Sequence, residues 1–168
     1  MPLFKSLLGS LKKAGRMNLR KTLSKDAVLL DLKNNAKEAI IEEMIDFLMT
    51  SGKIREKKDA LKAVIDRERK MSTGMQNGIA IPHGKTDKVD TLVAAIAVKK
   101  DGTDFGSLDG LPSKIFVMTL SPDTRTGPHI QFLAEISRQL NDSAVRDRIL
   151  NATSPDEVLD ALSGPSGV

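Results

Sequence analysis

The apolar residues of this 168-residue chain change their spacing along the sequence, and this change restricts the fold more than any other feature. Between residues 35 and 51 they recur every three or four positions, which predicts an amphipathic helix. Residues 92–98 are a short, continuous apolar run, and residues 114–120 are a largely apolar stretch after a turn; both predict buried strands. Helical segments that alternate with strands predict a single α/β domain, which we expect to span residues 18–163.

The same two spacings predict the other elements. They are a strand at 28–32, helices at 58–70, 127–140 and 144–150, and a last helix from 154. Asn35 and Glu38 have the spacing of a capping box at the start of the first helix. The Asp-Gly pairs at 101–102 and 109–110 are typical of turns.

The stretch 78–84, Gly-Ile-Ala-Ile-Pro-His-Gly, predicts a buried strand that stops at Pro82 and presents His83 at its end. Imidazole suits the role of nucleophile or proton carrier near neutral pH, and Gly84 has no side chain to obstruct approach. The second histidine, His129, begins a predicted helix, and we expect the two rings to meet. Each histidine also has a structural explanation, since His83 could cap a carbonyl and His129 could be an exposed first-turn residue.

Composition and motifs exclude or disfavour several kinds of chemistry. The chain has no Cys, which excludes disulfides, thiolate catalysis and Cys-ligated metals. No ligand at chelating spacing follows His83, so we expect no metal, although two histidines and a distant Asp could in principle bind zinc. Nucleotide-binding glycine motifs and serine elbows are absent from the sequence, and no cofactor is expected. With 3% aromatic residues and a net charge of +4, nucleic acid is not an expected partner.

The remaining candidates for chemistry are two histidines and several arginines. This set suits transient phosphorylation of an imidazole, in which a neutral ring attacks phosphorus. An arginine and a second imidazole would then neutralise and hydrogen-bond the phosphoryl oxygens. The start of the helix at His129 would favour the same anion through its N–H groups and its positive dipole end.

Three segments together resemble the signature of a known family. They are Arg67-Glu68, Ser72-Thr73-Gly74 and residues 77–84, Asn-Gly-Ile-Ala-Ile-Pro-His-Gly. The pattern is similar to that of IIA components of the bacterial phosphotransferase system, of the fructose/mannitol type that includes the nitrogen-regulatory IIA proteins. The resemblance covers residues 18–162. Gln76 departs from it, because a small residue is usual there, and we expect Gln76 to alter the local turn or the fit of a partner.

The resemblance implies a fold and a set of roles. The fold is a single-domain α/β sandwich, with a mixed central β-sheet flanked by helices on both faces. His83 matches the phosphorylated histidine, His129 the histidine that supports the phosphoryl group, and Arg67 the arginine that supplies positive charge. Two more basic residues follow Arg67 closely, and any of the three could be merely solvated. Ser72 and Thr73 are candidates for substrate contact that could instead cap or line the site.

The resemblance also implies a phosphotransferase reaction with two partners. Phosphate arrives from an HPr-type phosphocarrier protein and passes to a IIB component. We favour a nitrogen-regulatory protein that signals to a regulated target protein by its phosphorylation state. The alternative is a dedicated fructose/mannitol-type component of sugar uptake, and a third possibility is an interaction domain that is never phosphorylated. The expected location is the cytoplasm.

Residues 1–17 are predicted to form a separate, basic extension, and residues 164–168 a flexible tail. Leucines and Phe4 recur in the extension at helical spacing, with lysines between them. Such a helix could lie on an anionic membrane surface, but packing on its own domain or on a second copy is the favoured interpretation. No apolar run reaches the length of a membrane span, so membrane contact is expected only through this helix or a permease partner.

Overall fold

The computed structural model describes residues 17–124 and 126–163, within which the chain forms five strands and five α-helices. The strands are β1 (Val28–Leu29), β2 (Ile79–Ala80), β3 (His83–Lys85), β4 (Val93–Thr103) and β5 (Ser113–Ser121). The helices are α1 (Lys37–Thr50), α2 (Lys57–Lys70), α3 (Gly127–Leu140), α4 (Ser143–Leu150) and α5 (Pro155–Ser163). The predicted extension, apart from Met17, and the predicted tail lie outside the described residues. No helix in the described part of the chain is long and apolar enough to cross a bilayer.

The strands form one mixed sheet in the order β1-β4-β5-β2, and β3 continues after β2 along the same side of β5. β4 and β5 are antiparallel. β1 runs parallel to β4, whereas β2 and β3 run parallel to β5. This arrangement confirms the predicted α/β class and its mixed central sheet.

The two faces of the sheet contribute to two separate apolar cores. Along β5, Ile115 and Val117 enter one core, whereas Phe116 and Met118 enter the other, because successive strand residues point to opposite faces. Helices α3, α4 and α5 cover the first core, and α1 and α2 cover the second. Helices on both faces confirm the predicted sandwich. Thr119 follows Val117 in the same alternation and therefore lies on the α3 face.

β2 and β3 are two pieces of one edge strand, interrupted at Ile81 and Pro82. The N–H of Ile81 donates to the Thr73 carbonyl at 3.0 Å instead of to β5, and Pro82 has no N–H to donate. The Pro82 carbonyl accepts from the N–H of Thr119 at 3.2 Å, so the chain re-enters the sheet at His83. His83 thus begins a short strand, whereas the sequence pattern placed it at the end of one.

The predicted capping box of α1 is wrong. Ala36 is the N-cap residue, and it makes no side-chain hydrogen bond to the helix. Glu38 instead binds the guanidinium of Arg69 on α2, at 2.9 Å. The carbonyl of Asn35 accepts a hydrogen bond from the Thr103 hydroxyl. Contacts with residues distant in sequence therefore determine how α1 begins.

Two of the sequence-based boundaries need correction. β1 ends at Leu29, three residues before the predicted end, because its ladder with β4 stops there. The Asp-Gly pair at 101–102 is not a turn between strands but lies within β4 at a register shift. Gly102 adopts a left-handed φ of +72°, and Thr103 pairs again with Ser113. The chain reverses later, in the loop between β4 and β5.

Candidate active site

The fold brings the two histidines together where β3 begins. His83 is the first residue of β3 and pairs with Thr119 of β5. His129 is the third residue of α3, which packs on the face of the sheet that carries Thr119. The ring centroids of His83 and His129 are 5.9 Å apart, and the ring planes are tilted by 58°. Two histidines distant in sequence therefore share one site.

A backbone carbonyl two residues before β3 selects the tautomer of the His83 ring. Nδ1 lies 2.9 Å from the carbonyl oxygen of Ile81, and because a carbonyl can only accept, Nδ1 carries the proton. Nε2 therefore keeps its lone pair. Burial lowers the pKa of His83, and the charges of Arg67 and Lys85 lower it further, against the opposing effects of the Ile81 bond and of Glu68. A neutral ring with a free lone pair is the nucleophilic form of histidine.

His129 is buried and hydrogen-bonded to two hydroxyl groups of β5. Its Nε2 lies 2.9 Å from Oγ1 of Thr119, and its Nδ1 lies 3.4 Å from Oγ of Ser121. Burial, with smaller contributions from His83 and Lys85, lowers the pKa of His129 to about 4. The ring is 6% exposed, so the alternative of an exposed first-turn residue does not hold. His129 is a neutral, oriented ring at the positive end of α3.

Arg67 lies on the last turn of α2, and its charge acts on His83. The Nη1 group donates to the Met71 carbonyl at 2.8 Å, which holds the guanidinium at the end of the helix. The positive charge of Arg67 contributes to the lowered pKa of His83. The neighbouring Arg69 instead pairs with Glu38 of α1. Arg67 is thus the arginine of this turn whose charge acts on the His83 ring.

Ser72 and Thr73 lie next to the site, but their hydroxyls contact a buried carboxylate and a backbone carbonyl. Thr73 donates both its N–H, at 2.9 Å, and its hydroxyl to the Glu68 carboxylate. The Ser72 hydroxyl donates to the Phe105 carbonyl at 2.6 Å and accepts from Lys37 at 3.2 Å. In the part of the chain that the structure describes, neither hydroxyl bonds a histidine. A contact between these residues and substrate stays a prediction.

The sequence patterns did not predict three residues that lie near the histidines. Lys85 lies two positions after His83, and its charge lowers the pKa of both histidines. Alternation along a strand places residues 83 and 85 on one face, which could have identified it. Thr119 and Ser121 are buried hydroxyls near the end of β5. Buried polar groups need partners, and this was the signal that a polar side chain lay opposite them.

Gly84 serves the packing of α2, not access to His83 as its lack of a side chain had suggested. It is buried, and a Cβ at this position would lie 2.8 Å from the carbonyl carbon of Ala63 and 2.9 Å from the nitrogen of Val64. Real Cβ atoms essentially never approach other atoms so closely. Glycine therefore allows α2, the helix that carries Arg67, to lie directly against β3.

The donor groups of the site suit an anion better than a metal ion. Among residues 17–124 and 126–163, no group of three or more His, Asp or Glu side chains could hold a metal. Both ring nitrogens of His129 and one of His83 contact protein groups, and the neighbouring charges of Arg67 and Lys85 are positive. A neutral imidazole nucleophile surrounded by cations can accept and stabilise a phosphoryl group.

The sequence is similar to components of one phosphotransferase system. The family model of the phosphoenolpyruvate-dependent sugar phosphotransferase system, EIIA 2, matches residues 21–164. The fructose-specific EIIA component of Haloferax volcanii is 37% identical over 127 residues, which are 76% of this chain and 82% of that protein. The fructose-specific EIIABC component of Bacillus subtilis is 33% identical over 147 residues, 88% of this chain but 23% of that protein. The nitrogen regulatory protein of Pseudomonas aeruginosa is 26% identical over 140 residues, 83% of this chain and 91% of that protein.

Solved structures share the fold. The nitrogen regulatory protein IIA-Ntr from Neisseria meningitidis has a TM-score of 0.76 at 24% identity and covers 86% of this chain and 98% of its own. A chain in the complex of enzyme IIA-mannitol with phosphorylated enzyme IIB-mannitol from Escherichia coli has a TM-score of 0.72 at 27% identity. That match covers 84% of this chain and 97% of the other. Sugar-specific and nitrogen-regulatory proteins thus both resemble this chain.

Proposed function

Because the chain belongs to the EIIA 2 family of the phosphoenolpyruvate-dependent sugar phosphotransferase system, we propose that it is a phosphoryl carrier that is transiently phosphorylated on His83. The observation that carries this proposal is the hydrogen bond from Nδ1 of His83 to the carbonyl of Ile81. It leaves Nε2 as the nucleophilic atom. The phosphoryl group would therefore be attached to Nε2.

Because of the hydrogen bond to Ile81, phosphoryl transfer requires no proton transfer to or from His83. In the incoming step, the Nε2 lone pair attacks the phosphorus of a phosphohistidine on the donor protein. The donor N–P bond breaks, and its electron pair returns to the donor ring. The proton on Nδ1 of His83 stays in place, so the phosphorylated ring is cationic and leaves as neutral imidazole when the acceptor attacks. Neither direction needs a general base for His83.

The surrounding groups stabilise the phosphoryl oxygens. Arg67 and Lys85, whose charges lower the pKa of His83, supply positive charge at the nucleophile. His129 supplies a hydrogen bond, and its longer contact, 3.4 Å to Ser121, is the one that a phosphoryl oxygen could replace. A phosphoryl anion beside His129 would raise the pKa of that ring, since a nearby negative charge favours the protonated form.

Exposed apolar side chains beside the site offer a surface for partner proteins. Met71 follows α2 and is 70% exposed, and its backbone carbonyl accepts a hydrogen bond from Arg67. Ile130 follows His129 in sequence and is 44% exposed. We assign this surface to an HPr-type donor and a IIB-type acceptor, which would bind it in turn. The solved complex of IIA-mannitol with phosphorylated IIB-mannitol supports an acceptor of the IIB type.

Two physiological branches fit this activity. A nitrogen-regulatory role, favoured from the sequence, is supported by the Pseudomonas aeruginosa relative. A sugar-uptake role is supported by the higher identity to the fructose-specific relatives. The branches differ in the phosphate donor, which is HPr for sugar uptake and the nitrogen-branch counterpart of HPr for nitrogen regulation. Initial phosphorylation rates with the two donors, at equal concentrations, would favour one branch over the other.

His83→Ala tests the central step. The wild-type protein, incubated with phosphoenolpyruvate, enzyme I and an HPr-type protein, should become an acid-labile, base-stable phosphoprotein. His83→Ala should carry no label, because its nucleophile is gone. Lys88→Ala, which changes an exposed residue five positions away, is the control and should be labelled like the wild type. Labelling of His83→Ala at the wild-type level would refute the proposal, and an unlabelled wild type would favour a pure interaction domain.

A further inference from the structure

An ion pair between the buried Glu68 and the partly exposed Lys37 adjoins the 72–75 segment and has no direct part in the proposed transfer. Glu68 is 6% exposed, and its carboxylate accepts from Nζ of Lys37 at 2.8 Å. The same ammonium lies 4.7 Å from the ring centroid of Phe105. Burying a charge costs free energy, and replacing a buried pair by apolar residues is often neutral for stability. Stability alone is therefore a weak reason for Glu68 and Lys37 at these positions.

Three successive hydrogen bonds connect this carboxylate with the nucleophile. Glu68 accepts from both the N–H and the hydroxyl of Thr73, which fixes the Thr73 backbone. The Thr73 carbonyl accepts from the N–H of Ile81 at 3.0 Å. The Ile81 carbonyl in turn accepts from Nδ1 of His83 at 2.9 Å. The bond that selects the reactive tautomer is thus the last in a series that begins at Glu68.

The segment between Glu68 and Ile81 has little freedom to absorb a displacement. Gly74 forms a bridge with Ala80, and the N–H of Met75 donates to the Ile79 carbonyl at 2.7 Å. A Cβ on Gly74 would lie 2.9 Å from the Phe105 oxygen, so the chain is already packed closely against the β4–β5 loop. A shift of Thr73 should therefore be transmitted to Ile81.

We propose that Glu68 is a positioning residue for His83. Its carboxylate fixes Thr73, and through Ile81 it sets the tautomer and direction of the His83 ring. Lys37 holds the carboxylate in place through the ion pair between them. This proposal rests on the proposed phosphorylation of His83. Glu68 itself touches neither His83 nor the phosphoryl group.

Glu68→Gln is the main test. An amide has one acceptor oxygen where the carboxylate has two, and its NH₂ group faces the ammonium of Lys37 or the hydroxyl of Thr73. We expect the ring of His83 to lose its single tautomer, so that its two nitrogen shifts in a ¹⁵N–¹H correlation spectrum move towards each other. The kcat for phosphorylation should fall roughly ten- to hundredfold, as expected for misplaced reacting groups. The KM for the donor protein should stay unchanged, because the docking surface is intact.

Two further comparisons separate positioning from general loss of stability. Glu38→Gln is the matched control, because Glu38 also joins α1 to the last turn of α2, through Arg69, but lacks a contact with Thr73 among the described residues. It should leave the tautomer and kcat as in the wild type. Thr73→Val removes the hydroxyl at nearly constant volume and should reproduce the effect of Glu68→Gln in a weaker form. Thr73→Ser, which keeps the hydroxyl, should restore the wild-type values.

The outcomes are distinct. The proposal is overturned if folded Glu68→Gln keeps the wild-type nitrogen shifts and a kcat within about twofold of that of Glu38→Gln. If Glu68→Gln does not fold, wild-type shifts and kcat in Thr73→Val overturn it equally. Failure of the proposed function has a different signature. The wild type would then carry no label on His83, while the Glu68 and Thr73 variants could still change the nitrogen shifts of the His83 ring.

Discussion

Gly84→Ala should loosen the contact between α2 and β3 and thereby slow phosphorylation of His83. A Cβ at residue 84 would lie 2.8 Å from the carbonyl carbon of Ala63 and 2.9 Å from the nitrogen of Val64. Ordinary contacts begin at 3.4 Å, so the two elements must separate by about 0.6 Å. Both nearest atoms belong to the helix backbone, so no rotamer change can relieve the overlap.

The cost of this separation can be estimated. Overpacking of a close contact typically lowers the free energy of unfolding by about 1–3 kcal/mol. For a domain of this size, each kcal/mol lowers Tm by roughly 2–4 °C. Arg67 lies one helical turn beyond Ala63, on the same side of α2, so a displaced helix also moves the guanidinium away from His83. We therefore expect a loss of stability together with a lower phosphorylation rate.

Urea unfolding and the initial rate of labelling, measured on the same preparations, test this reasoning. Gly127→Ala is the control, because a Cβ there would meet no atom of the described residues within 4 Å, and it should leave the free energy of unfolding nearly unchanged. A Gly84→Ala protein as stable as Gly127→Ala would refute the packing role of Gly84. Lowered stability with a wild-type rate would show instead that the distance between α2 and β3 does not control the site.

Two predictions concern His129. His129→Ala should still accept phosphate on His83, but onward transfer to a IIB component should slow by about a hundredfold, as when one stabilising donor is lost; an unchanged transfer rate would return His129 to a structural role. The second concerns acid, because between pH 6.5 and about 4 the unfolded chain binds a proton at residue 129 that the folded protein does not. The free energy of unfolding of the wild type should therefore fall faster on acidification than that of His129→Asn, by up to about 1.4 kcal/mol per pH unit. Urea unfolding at several pH values measures both slopes, and equal slopes would contradict the lowered pKa.

The fold class and the pair of histidines could be predicted because local patterns encode them. Two periodicities of apolar residues indicate helices and strands, and the proline before His83 marks where the edge strand breaks. The proximity of His83 and His129 was expected from their chemistry. In the structure their ring centroids lie 5.9 Å apart. These features depend on short stretches of sequence and on a family resemblance that joins them.

The features that the sequence did not predict depend on contacts between residues far apart in the chain. Thr119 faces His129 only because β5 pairs with β3 in a particular register, and no local pattern specifies a register. The capping box of α1 failed for a similar reason, since Glu38 pairs instead with Arg69 on another helix. The role of Glu68 likewise emerges only when Thr73 and the edge strand lie side by side.

The interruption of the edge strand at Ile81 and Pro82 has a consequence for solubility. An uninterrupted edge strand exposes a row of backbone donors and acceptors and can recruit strands of other chains, which leads to aggregation. Here residues 73–75 lie along β2, and β3 is only three residues long. The edge of the sheet beside His83 therefore offers little template for strand addition by another chain.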